Sequence, residues 1–179
     1  MSNLSVFVTS NPHLPMKILN HDEDIISTLE GTGLVYKTVP VPADLLPGLE
    51  LDEVESAAGV WLDQWLAANG YSQRQVISAN RRFETIEALR KPYLAEQQLA
   101  GRSAWLMLGG FALLSVHVGD AVYQIRLEKG ALLELPAGAL YWFDIGLEPH
   151  VLALHAGEQS LAAELSGAGL AQAFPELDD

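Results

Sequence analysis

From about residue 104 to residue 156 the chain alternates apolar and polar residues in short runs, each closed by a turn signal. No other feature limits the fold as strongly. Ala112–Val118 and Ala121–Leu127 flank Gly119-Asp120, a two-residue hairpin signal. Ala131–Pro136, Tyr141–Ile145 and His150–Ala156 read as three further strands, with Gly146–Pro149 as a loop. Residues 130–141, GALLELPAGALY, place a glycine, five residues, a proline, one residue and a second glycine ahead of a strand, a frame of small β-barrels. Strands this short and closely spaced predict an antiparallel barrel or sandwich. The most apolar run, Ala104–Val118 (AWLMLGGFALLSVHV), falls short of the ~20 residues a bilayer helix needs, and Gly109-Gly110 interrupts it. It reads as two buried strands joined by a turn.

Upstream the pattern is mixed. Leu4–Val8 predicts a strand, Ile25, Ile26 and Leu29 a short helix ending near Gly31 and Gly33, and Leu34–Val39 another strand before prolines 40, 42 and 47 force a loop. Val54, Ala57, Ala58, Trp61, Leu62, Trp65 and Leu66 form one stripe at helical spacing. Asp52 and Glu55 are the expected start caps and Asn69-Gly70 the stop. The tryptophan pair at that spacing reads as core packing. Residues 82–95 predict another helix, bent or ended near Pro92. The tail, Ser166–Leu177, predicts a short helix followed by FPEL. The whole, 1–179, is expected to be a single domain: 1–95 packs on the barrel, 96–160 builds it, and 161–179 forms a C-terminal helix and tail.

With 23 Asp and Glu against 10 Lys and Arg, the net charge is -13, which argues against nucleic acid or an anionic membrane surface as partner. There is no cysteine, so disulfides, thiolate ligands and a cysteine nucleophile are excluded. The N-terminus, MSNLSVFVTSNPH, lacks a basic region followed by a long apolar stretch, and a cytoplasmic protein is expected. No G-x-S-x-G elbow, phosphate-cradling glycine loop or dinucleotide fingerprint is present.

Several phrases occur in one order: VIS at 76–78, EALR at 87–90, VHVGDAVYQI at 116–125, EKG at 128–130, LPAG at 135–138, WFDIG at 142–146, EPH at 148–150 and the ending SGAGLAQAFPEL. On these the chain resembles the bacterial acireductone dioxygenases of methionine salvage, which are cupins. The resemblance implies a mainly β fold with flanking helices, the cupin-type antiparallel β-barrel (double-stranded β-helix or jelly roll). It also implies Fe(II) or Ni(II) held by three histidines and a glutamate. The matching positions here are Gln97, Leu99, Ser103 and Tyr141. EALR upstream, and the six residues between Ser103 and Gly110, support that register.

Leucine has no donor atom, and an amide and a hydroxyl are weak neutral ligands for an ion that prefers imidazole and carboxylate. A tyrosine must lose a proton of pKa about 10 before it ligates well. The expectation is therefore no metal and no other cofactor. The resemblance further places Trp105 and His155 where the family presents arginines to its substrate. Of the remaining histidines, His13, His21 and His150 are expected in solvent and His117 in a structural role. Glu96 reads as a solvated rim carboxylate, and Asp144 as structural, facing away from Tyr141 on its strand.

Three functions follow, in this order. The first is a metal-independent enzyme acting on a small, fairly apolar molecule by isomerisation, cyclisation, dehydration or cofactor-free oxygen chemistry, recruited to specialised metabolite biosynthesis. Tyr141 and His155 are its acid–base candidates, and Gln97, Leu99, Ser103, Trp105 and Met107 line its pocket. The second is a non-catalytic relative that binds a small molecule or a partner. The third is a metal dioxygenase with unusual ligands drawn from His155, Tyr141, Glu96 and His117, in which Fe or Ni is retained. A monomer or homodimer is expected.

Overall fold

The computed structural model describes residues 1–82 and 84–178. In chain order it contains β1 (Asn3–Val8), β2 (Lys17–Leu19), α1 (Asp22–Leu29), β3 (Val35–Thr38), α2 (Leu51–Asn69), β4 (Gln73–Asn80) and α3 (Ile86–Arg90). A 3-10 turn over Lys91–Tyr93 then leads into β5 (Gln97–Gln98), β6 (Ser103–Val118), β7 (Ala121–Glu128), β8 (Ala131–Leu135), β9 (Leu140–Asp144), β10 (His150–Gly157) and β11 (Glu164–Leu165). A second 3-10 turn, Leu170–Ala173, precedes the FPEL tail. All pairings are antiparallel, and the architecture is the cupin-type β-barrel with flanking helices.

Strand β6 organises the barrel. Its first half, Ser103–Leu106, pairs with β8 on one side, and Ser103–Gly110 pairs with β10 on the other, while β4 and β3 extend that sheet. Its second half pairs with β7 and β9 in the other sheet, which β1 and β2 extend. Gly109-Gly110 is thus not a turn between two strands. It is a bend inside one strand, where the ladder to β10 slips register between Leu152 and Ala153. Gly110 has φ 69°, and a Cβ there would meet the His150 carbonyl oxygen at 1.8 Å, so only glycine serves at the crossing.

Alternation along the strands sorts the side chains into layers. Trp105 and Met107 of β6, Tyr141 and Phe143 of β9, and Val151 and Ala153 of β10 point into the barrel core. Ala104, Leu106, Leu152 and Leu154 point outward and are covered by Val54, Ala58, Leu62 and Leu66 of α2. Ala57, although on the predicted stripe, is exposed. The start of α2 is capped by Glu50 and Glu53, whose side chain accepts from the Glu50 N–H at 2.7 Å; Asp52 also accepts from the Glu53 N–H at 3.0 Å, as expected, but Glu55 takes no part. Glu55 instead pairs with Arg74. Gly70, at φ 76°, ends the helix as expected.

The helix expected over 82–95 is only α3 and its 3-10 turn, because Pro92 removes an N–H donor. Position 83 of that expected span lies outside the described residues. Strand β4 was not anticipated. Only Ile77 and Ala79 of its eight residues are buried, too few to stand out as alternation.

Candidate functional site

His155 and Trp105 are direct cross-strand partners in the β10–β6 ladder, both on its inner face. Their rings stack with centroids 3.9 Å apart and planes 8° apart. Phe143, projecting inward from β9, stacks on the indole at 4.0 Å and 16°. The indole is therefore sandwiched between an imidazole and a phenyl ring. Tyr141 meets Trp105 edge-on at 6.2 Å and His155 at 6.1 Å. Tyr93, from the 3-10 turn outside the barrel, lays its edge on Trp105 at 6.0 Å and on Phe143 at 6.2 Å.

The interior is dry and filled. Trp105 and Met107 are 0% exposed, and Tyr141 and His155 are 1% exposed. A cavity wide enough for a water molecule would leave accessible surface on its walls. The clefts lie elsewhere: one of about 300 Å³ is bounded by Lys91, Leu113, Trp142, Gln172 and Phe174, on the outer side of β9.

Among the described residues, three polar atoms within that filled core have no hydrogen-bond partner: Trp105 Nε1, His155 Nδ1 and His155 Nε2. Each such group costs about 1–3 kcal/mol of desolvation, whereas an aromatic pair gives back only about 0.5–1.5 kcal/mol. The stack does not offset its own unpaired nitrogens. Burial pushes the His155 pKa down to about 3, so the imidazole is neutral at pH 7, with one nitrogen a donor and the other an acceptor. Burial also raises the Tyr141 phenol, chiefly by desolvation and further by Tyr93, so it keeps its proton.

The structure brings together Trp105, Met107, Leu99 and Tyr141 in one apolar cluster, with His155 stacked against it. Ser103 is buried at the start of β6, opposite Leu135 and Gly157. Gln97 lies opposite Tyr141, and its Nε2 donates to the Pro92 and Ala95 carbonyls, both at 3.0 Å. The four positions Gln97, Leu99, Ser103 and Tyr141 thus present a neutral amide whose nitrogen is held by the backbone, a hydrocarbon, a hydroxyl and a protonated phenol. That donor set does not suit a first-row divalent ion. Among the described residues no group of three or more His, Cys, Asp or Glu is placed to hold a metal.

Two expectations about carboxylates separate. Asp144 faces away from the interior, as expected, and accepts from Arg90 Nε at 2.6 Å and Nη2 at 3.0 Å. It also accepts from the N–H groups of Gly146 and Leu177. Glu96 is not a solvated rim residue. It is 4% exposed, with Oε2 3.0 Å from His117 Nδ1 and Oε1 accepting from the Ser166 hydroxyl at 2.7 Å. That pair gives His117 its structural role. His13, His21 and His150 are exposed.

Tyr93 and Phe143 were not singled out from sequence. Phe143 was legible, since it shares the inward phase of Tyr141 on one strand. Tyr93 was not, because nothing local says that a residue after Pro92 folds back over the barrel.

Comparison with known proteins agrees with this architecture. No family model matches the chain. It is 35% identical over 181 residues to the acireductone dioxygenase of Pseudomonas savastanoi pv. phaseolicola, and 34% identical to that of Pseudomonas fluorescens, covering 100% of both chains in each case. The acireductone dioxygenase of Pseudomonas aeruginosa is 31% identical over the same span. Among solved structures, acireductone dioxygenase from Bacillus anthracis with a cadmium ion in its active centre superposes with a TM-score of 0.70. That match has 15% identity and covers 89% of this chain and 94% of that one.

Proposed function

We propose that this chain, which belongs to the acireductone dioxygenase family, has given up the family's metal chemistry and binds a small, uncharged, largely apolar molecule inside its barrel. The three buried nitrogens without partners carry this reading. A ligand placed against them would accept from the Trp105 indole and from one His155 nitrogen, and donate to the other. Leu99, Met107 and Phe143 would supply the apolar wall. The depressed pKa of His155 makes it a poor proton acceptor and a good neutral hydrogen-bonding group, which favours binding over general-base catalysis. The net charge of -13 again favours a small molecule over nucleic acid or a membrane surface. No helix among the described residues is long and apolar enough to cross a membrane.

One observation favours a metal-independent enzyme as the second reading. Tyr141 and His155, a phenol that holds its proton and a neutral imidazole with one bare nitrogen, meet edge-on in one dry interior with centroids 6.1 Å apart. A substrate that displaced this edge contact would meet an acid on one side and a base on the other. A thermal-shift screen of small neutral molecules distinguishes the readings. A stabilising compound should lose its effect in His155→Phe. Its recovery unchanged supports binding, and its conversion, slowed by Tyr141→Phe, supports the enzyme. Stabilisation that survives His155→Phe undiminished would remove both.

A further inference from the structure

The interior is sealed, so a ligand needs an entrance, and the packing marks one. Among the described residues, three rings besides His155 touch the Trp105 indole edge-on or face-on, and of these Tyr93 alone comes from outside the barrel strands. It is partly exposed. Neither α3 nor the 3-10 turn that carries Tyr93 has a fully buried residue. Segments with so little buried surface open locally at low cost while the core stays closed. Arg90 anchors one end of the segment through Asp144 and Glu176. At the other end the Gln97 amide grips the Pro92 and Ala95 carbonyls on either side of Tyr93.

We propose that Tyr93 is a door to the barrel interior, that Gln97 is its latch, and that the molecule admitted is an uncharged, para-substituted phenol bearing a carbonyl. This rests on the interior being the binding site. The ligand class follows from shape and donors. The hole left when Tyr93 swings out is that of a phenol ring edge-on to Trp105 and Phe143. A ring filling it regains those contacts, its carbonyl would accept from the indole N–H, and its hydroxyl would donate to the bare imidazole nitrogen. The two buried carboxylates among the described residues are both engaged elsewhere, Glu96 with His117 and Ser166 and Asp144 with Arg90, so a neutral ligand is favoured over an ion. The position that the family resemblance assigns to a metal-binding histidine thereby acquires a different task, holding the entrance shut.

The Trp105 indole N–H reports the door directly, because it is buried and unbonded. Its solvent exchange is measured by NMR on the full chain, with the signal assigned by its loss in Trp105→Phe. In Gln97→Leu two neutral hydrogen bonds are lost, and exchange at that N–H should rise about ten- to hundredfold. Amides of Leu114 and Val116 in β6 should stay as protected as before. Tyr93→Ala, which removes the door leaf itself, should give the same rise if Gln97→Leu fails to fold. 4-Hydroxybenzaldehyde as probe should shift the Trp105 indole and His155 imidazole signals, and should bind faster in Gln97→Leu. If exchange at Trp105 is unchanged in both variants, or rises only together with the β6 amides, the door is refuted even where the probe binds the interior. If the door opens as expected and the probe leaves both side chains unmoved, the ligand class is refuted. If neither that probe nor any compound of the thermal-shift screen reaches His155, the underlying binding site falls with it.

Discussion

Asp144 and His155 are both almost fully buried, at 2% and 1% exposure, on neighbouring parts of the same barrel, yet their surroundings are opposite. Asp144 accepts four hydrogen bonds, two of them from one guanidinium, and these hold its pKa below the usual carboxylate range against the effect of burial. His155 has none, and burial alone drives its pKa down to about 3. A buried polar group with every partner in place fastens a fold: Asp144 ties β9 to Arg90 and to the C-terminal Leu177. A buried polar group with no partner weakens the fold and calls for another explanation. The same contrast holds for Glu96, which is enclosed by His117 and Ser166.

The largest expected effect breaks the satisfied side of this contrast. Asp144→Ala leaves Arg90, whose side chain is only 10% exposed, without its main partner. A loss of about 3–5 kcal/mol is expected in urea unfolding at pH 7. An effect below about 1 kcal/mol would show that the ion pair is not holding the fold. The pH dependence sharpens the contrast further. Because the folded Asp144 pKa is depressed, its stabilisation is present above the unfolded carboxylate pKa and is lost as pH falls through the lower folded value.

His155 acts in a higher window. Between about pH 6.5 and the folded value of about 3, the unfolded chain takes up a proton that the folded chain refuses, so stability declines as pH drops. At pH 5 that penalty is about 2 kcal/mol, and His155→Phe should abolish it. Parallel stability curves for wild type and His155→Phe from pH 7.5 to 5 would contradict the assignment. At pH 7 the same substitution removes two unpaired nitrogens while keeping a ring on the Trp105 stack, so it should be neutral or stabilising by about 1 kcal/mol.

Glu96→Ala comes next, at about 1 kcal/mol, since His117 and Ser166 lose a buried acceptor but stay within reach of solvent. Thermal denaturation of Glu96→Ala and Glu96→Gln checks this, because Gln should recover part of the loss. The smallest effect is expected at Arg74, whose partners Glu55 and Asp63 are largely exposed. Arg74→Ala should cost less than about 1 kcal/mol and still less in high salt.

The barrel was legible in the sequence because its strands carry the period-two signal, whereas Trp105, Tyr141 and His155 were placed by the family resemblance, since the apolar run AWLML around Trp105 shows no phase of its own. Asp144 was placed on the opposite face by the same counting. What the sequence did not disclose depended on contacts between distant segments. The bend at Gly109-Gly110 looked like a turn because glycine permits both, and only the pairing of β6 with two sheets decides between them. Glu96 looked solvated because its partners lie 21 and 70 residues away. Gln97 looked like a pocket residue, whereas its amide is used on the Tyr93 segment.

Native mass spectrometry of the protein as isolated, and again after incubation with Fe(II) and Ni(II), tests the central claim most directly. The account predicts the mass of the chain alone or with one small organic molecule, and no retained ion after buffer exchange. One iron or nickel held per chain would contradict it and return this barrel to the metal chemistry of its relatives.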